Sequence, residues 1–220
     1  MTTAEKNNSP VIRLEHISKS FGPVRANRNI GLDIHAGRIK ALLGENGAGK
    51  STLMGILAGR LQPDGGRILV EGVAKPIFSP HADHMAGIGM VYQHFMLVDA
   101  LTVTENVILG QSERIWLAPQ KAVQQVADLA RRYGLAIDPA KRVSALSMGE
   151  RQRVEILKIL HRRSRILIFD EPTAVLTPPE IDQLFDALRQ MAGQGKAIVF
   201  ISHKLDEVMA LADEITIMRK

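Results

Sequence analysis

Short runs of aliphatic and β-branched residues alternate along the chain with segments of helical spacing. The runs that predict strands are VIRLEHI, GLDIHA, RIKALL, RILV, GIGMVY, RILIFD, AIVFIS and EITIM. This alternation predicts an α/β fold with a mixed, mostly parallel sheet as its core. The first strands are amphipathic and closely connected, so they predict an antiparallel β-subdomain beside that core, with LQPDGG as a turn between a helix and a strand.

No strand pattern occurs between Gln93 and Arg165. Three segments there have helical spacing: TVTENVILG, PQKAVQQVADLARRYG and SMGERQRVEILKILHRR. The second places one apolar face on Ala122, Val126, Leu129 and Tyr133. We therefore expect an inserted α-helical subdomain over approximately residues 94–164 of a domain spanning residues 11–220, preceded by a flexible N-terminus over residues 1–10.

The composition limits the classes of protein to which this chain could belong. The 220 residues are 45% hydrophobic, which is enough for a buried core, and they include no cysteine for disulfides or thiolate metal sites. No apolar run approaches the roughly 20 residues that span a bilayer, and the first residues lack a secretion signal pattern, so a cytoplasmic chain is expected. The net charge of +5 would suit nucleic acid, but 4% aromatic residues show no base-stacking pattern, and solvated helix faces explain the charge as well.

The segment GENGAGKS fits the phosphate-loop pattern G-x-x-x-x-G-K-[ST], between the strand RIKALL and the helix TLMGILAG. Glycines let backbone N–H groups turn toward phosphate oxygens, the lysine reaches the β- and γ-phosphates, and the serine hydroxyl binds Mg²⁺. A purely structural glycine turn is the alternative, but the flanking strand and helix favour ATP and Mg²⁺. The predicted nucleotide contacts are Gly44, Glu45, Asn46, Gly47, Ala48, Gly49, Lys50, Ser51 and Thr52.

The strand RILIFDEP ends in two acids. Asp170 is placed to hold the Mg²⁺ shell, and Glu171 to orient or deprotonate the attacking water. Alternatively, the acids could begin the next helix, where its positive end favours carboxylates. The phosphate loop elsewhere in the chain favours the catalytic interpretation.

Two further polar residues follow predicted strands. Gln93 follows GIGMVY and His203 follows AIVFIS, at the strand ends where open α/β sheets collect ligands. Either side chain could hydrogen-bond a γ-phosphate, a metal-bound water or the nucleophile. A lone histidine or glutamine in this position is more often structural, so their assignment depends on the rest of the site.

A second possible anion site lies about a hundred residues after the first. In SALSMGERQRVEIL, Ser147 and Gly149 stand at the start of a predicted helix. A single nucleotide needs only one phosphate cradle. The residues alone leave the purpose of this second site open.

Five motifs, GENGAGKST, VYQH, LSMGERQ, LIFDEPT and ISHK, resemble those of the ATP-binding cassette (ABC) family in their order and spacing. The resemblance covers nearly the whole chain and identifies the domain as an ABC nucleotide-binding domain. It implies that Gln93 is the Q-loop residue, with a role in catalysis and at the metal, that Glu171 is the catalytic glutamate, and that His203 is the switch histidine. It also implies that Phe21 stacks on adenine, and that Ser147 and Gly149 face the γ-phosphate of ATP bound to a second cassette.

The chain departs from the family pattern at two places. Met148 stands where many members have glycine, and Glu150 where glutamine is usual, so Glu150 is not assigned a role. Residues 174–177 read AVLT and lack the serine and aspartate common in the family's D-loop. The nearby Glu180 is displaced from the usual acid and is expected to cap a helix instead.

Longer stretches, such as DEPTAVLTPPEIDQLF, are similar to the ATPase subunits of simple-sugar and nucleoside uptake systems. This similarity implies an N-terminal cassette that hydrolyses ATP at the inner face of the cell membrane. Its partners would be a second cassette and integral membrane permease subunits, contacted through the helical subdomain and the Q-loop. Such systems often carry two cassettes in one polypeptide, so the chain could be a fragment of one.

Two other functions and one other site are alternatives to weigh against these features. A soluble ABC module acting on ribosomes or nucleic acid would need arms or insertions that the sequence lacks, so no nucleic acid is expected. A regulatory cassette that binds ATP without hydrolysing it is suggested by the altered D-loop, but Glu171 and His203 argue against it. The segment HADH, residues 81–84, has no third ligand suitably spaced for a metal.

Overall fold

The structure is a computed structural model that describes residues 9–74, 87–110 and 119–219. The HADH segment, most of the predicted flexible N-terminus and the last residue lie outside these ranges. The described strands form two sheets, the core and the predicted antiparallel subdomain, and the described strands of the core are all parallel rather than mixed.

The smaller sheet is the predicted antiparallel subdomain. Its order is β2-β1-β4-β5, with every neighbouring pair antiparallel. Ile12 and Leu14 point into the core at the two-residue period of a strand, and a bulge at His16, where φ is 55°, brings Ile17 to the same buried face. The strands are β1 (Ile12–Phe21), β2 (Val24–Ile34), β4 (Gly65–Val70) and β5 (Val73–Ala74).

The larger sheet is entirely parallel among its described strands, in the order β6-β7-β8-β3-β9. All six residues of β8 are buried, and Phe169 in β7 and Phe200 in β8 are fully enclosed. This burial explains why these strands read as continuous apolar runs rather than as alternating ones. The strands are β3 (Ile39–Gly44), β6 (Ile88–Val91), β7 (Ile166–Asp170), β8 (Ala197–Ser202) and β9 (Glu214–Met218).

A helix follows the phosphate loop, and each of the three segments of helical spacing between Gln93 and Arg165 contains a helix, as predicted. The described helices are α1 (Lys50–Leu57), α2 (Val103–Ile108), α3 (Pro119–Arg132), α4 (Met148–His161), α5 (Pro178–Gly193) and α6 (Leu205–Leu211). In α3 the buried face carries Ala122, Val126 and Ala130, continues to Tyr133, and leaves Leu129 partly exposed. Between residues 94 and 164 the described elements are helical, although the exact limits of the subdomain stay a prediction.

The core consists of two packed regions on either side of the parallel sheet. One joins the helices α3, α4 and α5 to a face that includes Phe169 and Phe200. The other joins α1 and the antiparallel sheet to the opposite face, around Leu42 and Ile168. In the described part of the chain, no helix combines the length and the apolar character needed to cross a bilayer.

Candidate functional site

The candidate site lies along one edge of the parallel sheet. Because the strands run in the same direction, the C-terminal ends of β3, β6, β7 and β8 meet at that edge. Gly44 ends β3, Asp170 ends β7 and His203 follows β8, while Gln93 lies two residues beyond β6. The fold therefore brings to one edge residues that are spread over more than a hundred positions of the sequence.

The glycine-rich loop after β3 is tightly enclosed. Gly49, at the N-cap of α1, has φ 89°, and a Cβ built there would lie 2.1 Å from the carbonyl oxygen of Ala26. The side-chain amide of Asn27 donates to the carbonyl of Gly49 over 3.1 Å. The buried Asn27 therefore anchors the loop from β2, and no sequence motif points to this role.

Lys50 lies inside the loop rather than on the surface. Its residue exposure is 6%, and Nζ donates to the carbonyl oxygens of Gly44 (2.7 Å) and Glu45 (2.9 Å). Ser51 is exposed and Thr52 half-buried in the first turn of α1. The loop thus surrounds a buried ammonium group at the positive end of a helix, which is an arrangement suited to an anion.

The acid pair at the end of β7 does not begin a helix, because α5 starts at Pro178 with Thr177 as its N-cap. Burial raises the pKa of the Asp170 carboxyl, and the adjacent Glu171 raises it further, while Lys50 opposes both effects. The carboxyl of Asp170 is therefore in an environment that would gain from a nearby cation. The alternative in which these acids cap the next helix is excluded.

Glu171 is held in an unusual backbone conformation. Its φ is 46°, a left-handed value that costs energy for a residue with a Cβ, and its N–H donates to the carbonyl of Ile201 (3.1 Å). Its Oε1 lies 3.2 Å from Nδ1 of His203. The structure therefore brings together the predicted glutamate and histidine, and the local backbone directs the glutamate toward its partner.

A buried network supports this pair and was not predicted from the sequence. Oε2 of Glu207, in α6, accepts from the hydroxyls of Thr173 (2.7 Å) and Ser202 (3.0 Å). Oε1 of Glu207 contacts Nζ of Lys204 at 2.8 Å. Thr173 and Ser202 closely flank Glu171 and His203, so the network fixes the two loops relative to each other. The sequence itself offers only an acid a few residues after a predicted strand as a signal for this network.

Gln93 and Phe21 both have exposed side chains. Gln93 is exposed beyond β6 at the common sheet edge. Phe21, at the end of β1, is 48% exposed, with Nζ of Lys19 5.6 Å from the ring centroid. An exposed ring at a hairpin end is available for stacking, and it is not a core residue.

The second anion site predicted from the sequence would lie at the start of α4. The hydroxyl oxygen of Ser147 accepts from the N–H of Glu150 (3.2 Å), and the Glu150 carboxylate accepts from the N–H of Ser147 (2.8 Å). This capping box explains the acid at position 150, which also contacts Nζ of Lys141 at 2.9 Å. The hydrogen bond from the Ser147 N–H, followed by that from Lys141, holds the pKa of Glu150 below its ordinary value, although burial opposes them.

The surroundings of Gly149 are separate from the phosphate loop. The described residues lining the small cavity beside Gly149 come from α4, α5 and the segments near Leu135 and Leu176. Glu180 forms a second capping box with Thr177, as the sequence predicted, and its carboxylate lies directly against Gly149. The phosphate loop and the segment that carries Ser147 and Gly149 therefore have separate surroundings.

A parallel sheet with a glycine-rich loop that opens a helix, and with acids at a neighbouring strand end, defines a nucleotide-binding protein of the P-loop class. A sequence model of the ABC transporter family matches residues 27–174. The chain belongs to this family.

Relatives and solved structures agree with this membership. The chain is 50% identical over 215 residues to the nucleoside import ATP-binding protein NupA of Lactococcus lactis, covering 97% of this chain and 42% of NupA. It is 44% identical over 213 residues to the ribose import ATP-binding protein RbsA of Corynebacterium glutamicum, covering 96% of this chain and 41% of RbsA. The chain therefore spans less than half the length of these relatives. The ADP conformation of MJ1267, an ATP-binding cassette of an ABC transporter, has a TM-score of 0.83 at 25% identity, covering 94% of this chain and 87% of MJ1267.

Proposed function

We propose that this chain is the ATP-binding and ATP-hydrolysing cassette of an importer for a small sugar or nucleoside-like solute. The observation that carries the proposal is the contact between Glu171 and His203, at the sheet edge that also holds the buried ammonium of Lys50. The import names of the relatives support the direction and the class of solute, and the membership of the ABC family supports ATP as the nucleotide. Hydrolysis is favoured over the regulatory alternative because Glu171 and His203, the two residues proposed to act in hydrolysis, are in contact.

The proposed reaction is attack of water on the γ-phosphate, in line with the leaving ADP. Glu171 accepts a hydrogen bond or proton from the water, and His203 orients the carboxylate through Nδ1. Backbone N–H groups of the glycine-rich loop and Nζ of Lys50 stabilise the charge on the phosphates. Gln93 is proposed to approach the γ-phosphate from the end of β6, and Phe21 to stack on the adenine.

The site has suitable groups for a magnesium ion. Mg²⁺ is usually held by one or two carboxylates together with substrate phosphates. Asp170 and the Ser51 hydroxyl, with Gln93 at the neighbouring strand end, are the groups that would hold it. Burial and the adjacent Glu171 raise the pKa of Asp170, so a nearby cation would stabilise its carboxylate. When bound, the ion would neutralise phosphate charge.

A second cassette is proposed as the partner that brings Ser147 and Gly149 to the nucleotide. Since the Ser147 oxygen accepts from Glu150, its O–H proton is available to donate to a phosphate oxygen, beside the N–H groups at the start of α4. Integral membrane permease subunits are proposed as the other partners, contacted through the segment after Gln93 and the helical subdomain. The cassette would then act as a peripheral subunit at the inner face of the membrane.

The proposed function is tested by replacing Glu171 with glutamine. Hydrolysis should fall by about 10²- to 10⁴-fold, the usual range for a catalytic acid or base, while ATP binding persists. Phosphate release is measured over a range of chain concentrations, because the second cradle has to come from another cassette. Glu71→Gln, which removes a surface acid paired with Arg165, is the matched control and should hydrolyse normally.

Lys50→Ala tests the binding half of the proposal. The variant should lose most of its affinity for ATP in titration calorimetry, because it removes the ammonium at the centre of the loop. Equal hydrolysis by Glu171→Gln and the wild type, or undiminished ATP affinity of Lys50→Ala, would refute the corresponding assignment.

A further inference from the structure

The segment that follows Gln93 is held by side chains rather than by a sheet. Residues 96–98 have no regular secondary structure, and residues 98–101 form a turn in which the N–H of Leu101 donates to the carbonyl of Val98 (3.1 Å). Leu97 packs against the helical core, and Met96 and Val98 are 63% and 44% exposed. Such an irregular segment has backbone groups that need partners. The identity of these partners determines which part of the molecule the segment moves with.

Two charged side chains of α4 hold the backbone of Met96 at both ends of the residue. Oε1 of Glu155 accepts from the N–H of Met96 (2.6 Å), and Nζ of Lys158 donates to its carbonyl (2.7 Å). The two side chains also pair with each other, at 3.1 Å between Nζ and Oε2. Glu155 is only 4% exposed, so its charge is satisfied almost entirely by this arrangement.

The rest of the segment is attached to the same part of the structure. Asn106 of α2 binds both the N–H and the carbonyl of Val98, and Arg151 of α4 pairs with Asp99 at 2.8 Å. Backbone bonds then join the segment to residues 143 and 144, just before α4. Arg151, Glu155 and Lys158 are spaced four and three residues apart, so one face of α4 makes all three contacts.

We propose that Glu155 and Lys158 form a clamp that makes residues 96–101 and α4 one mechanical unit. Glu155 is thereby a positioning residue: a displacement of the exposed Met96 and Val98 side chains carries the N-terminus of α4, and with it Ser147, in the same direction. The inference rests on the proposed function only in taking this exposed segment as the permease-facing one. The rigid connection itself is a property of this chain and can be measured without a permease.

The test uses pairs of spin labels on cysteines, which are unambiguous because the chain contains no natural cysteine. Met96 and Met148 are exposed and contribute only backbone atoms to the contacts described, so labels there leave the clamp intact. The distance between these labels should have one narrow distribution that is unchanged by ATP. The distance from Met148 to Val24, an exposed residue of the antiparallel sheet, serves as the reference for movement between the two parts.

Glu155→Ala should broaden the distribution between Met96 and Met148 and should accelerate amide exchange at Met96 by about 10- to 100-fold, as for loss of a hydrogen bond to a charged group. Lys158→Met tests the same clamp if Glu155→Ala fails to fold. Arg153→Ala is the matched control, because this α4 side chain contacts Ala136 and Gln183 rather than the segment.

The inference is overturned if Glu155→Ala or, where that variant does not fold, Lys158→Met keeps the narrow distribution and the slow exchange of the wild type. It is also overturned if ATP changes the distance between Met96 and Met148 in the wild type. Neither result depends on hydrolysis, whereas failure of the proposed function would appear in Glu171→Gln and Lys50→Ala with the label distances unaffected.

Discussion

Gly149 packs directly against the carboxylate of Glu180, so that a Cβ added at Gly149 would lie 2.2 Å from Oε1. Glu180 cannot easily withdraw, because its other oxygen accepts from the N–H and hydroxyl of Thr177 at 2.9 and 2.8 Å. The starts of α4 and α5 are therefore in contact through a glycine. This glycine is required by packing within the chain, in addition to any approach of a nucleotide.

We expect Gly149→Ala to lower the free energy of unfolding by about 1–3 kcal/mol, the usual cost of inserting a methyl group into a packed site. Urea denaturation measures the effect. Gly193→Ala is the matched control, since no atom lies within 4 Å of its added Cβ.

The double variant Gly149→Ala, Glu180→Ala should be less destabilised than the sum of the two single variants, because the second change removes the clashing group. Glu180→Ala by itself should cost about 1 kcal/mol through loss of the capping box. Strict additivity would show that the steric conflict is not with Glu180.

Glu150 is predicted to act through its capping box rather than through nucleotide contact. Glutamine keeps an oxygen that can accept from the Ser147 N–H, so Glu150→Gln should change the free energy of unfolding by less than about 1 kcal/mol and leave ATP hydrolysis unchanged. Glu150→Ala should cost more, because it loses both the cap and the contact with Lys141. Equal stabilities of the two variants would contradict this role.

Glu207 is predicted to support catalysis without touching the substrate. Glu207→Ala leaves the hydroxyls of Thr173 and Ser202 without their acceptor, so the loops carrying Glu171 and His203 should shift. We expect kcat to fall by about 10- to 100-fold, the range caused by small misplacement, with KM for ATP nearly unchanged. Asp206→Asn, at the exposed neighbouring position, should have normal kinetics. A normal kcat for Glu207→Ala would exclude this positioning role.

Glu214, the first residue of β9, is predicted to make the free energy of unfolding depend on pH. Partial burial favours the neutral acid, but hydrogen bonds from Lys40 and Arg38 outweigh it and lower the pKa of Glu214 from 4.5 to about 2. Because the folded pKa is the lower one, the stabilisation is fully present above pH 4.5 and is lost as the pH falls toward 2.

Glu214→Gln should therefore cost about 3 kcal/mol near neutral pH, and the difference from the wild type should shrink as the pH falls below 4.5. Urea denaturation over a series of pH values measures it. Asp186→Asn, which breaks an exposed pair with Arg189, should cost less than about 0.5 kcal/mol at every pH. A cost that does not vary with pH would rule out ionisation of Glu214 as the cause.

Much of the site could be predicted because its signals are local. The phosphate loop needs glycines, a lysine and a serine within a few positions between a strand and a helix, and these appear consecutively from Gly44 to Ser51. The helix cap at Glu180 was likewise predictable, because its partner Thr177 is three residues away. The supporting groups were not predictable: Glu207 meets Thr173 across 34 positions, and Glu155 meets Met96 across 59.

The order of residues along the chain is enough to predict the alternation of strands and helices, the position of the phosphate loop and the identity of the acids and histidine that follow the strands. These features depend on side-chain periodicity and on chemistry within one turn or one strand. The three-dimensional fold was needed to establish that Glu171 contacts His203, that Gly149 packs against Glu180 and that side chains of α4 bind the backbone of Met96. Each of these contacts requires charged or closely packed groups from distant segments to meet, and the parallel sheet and the helices packed on it set those distances.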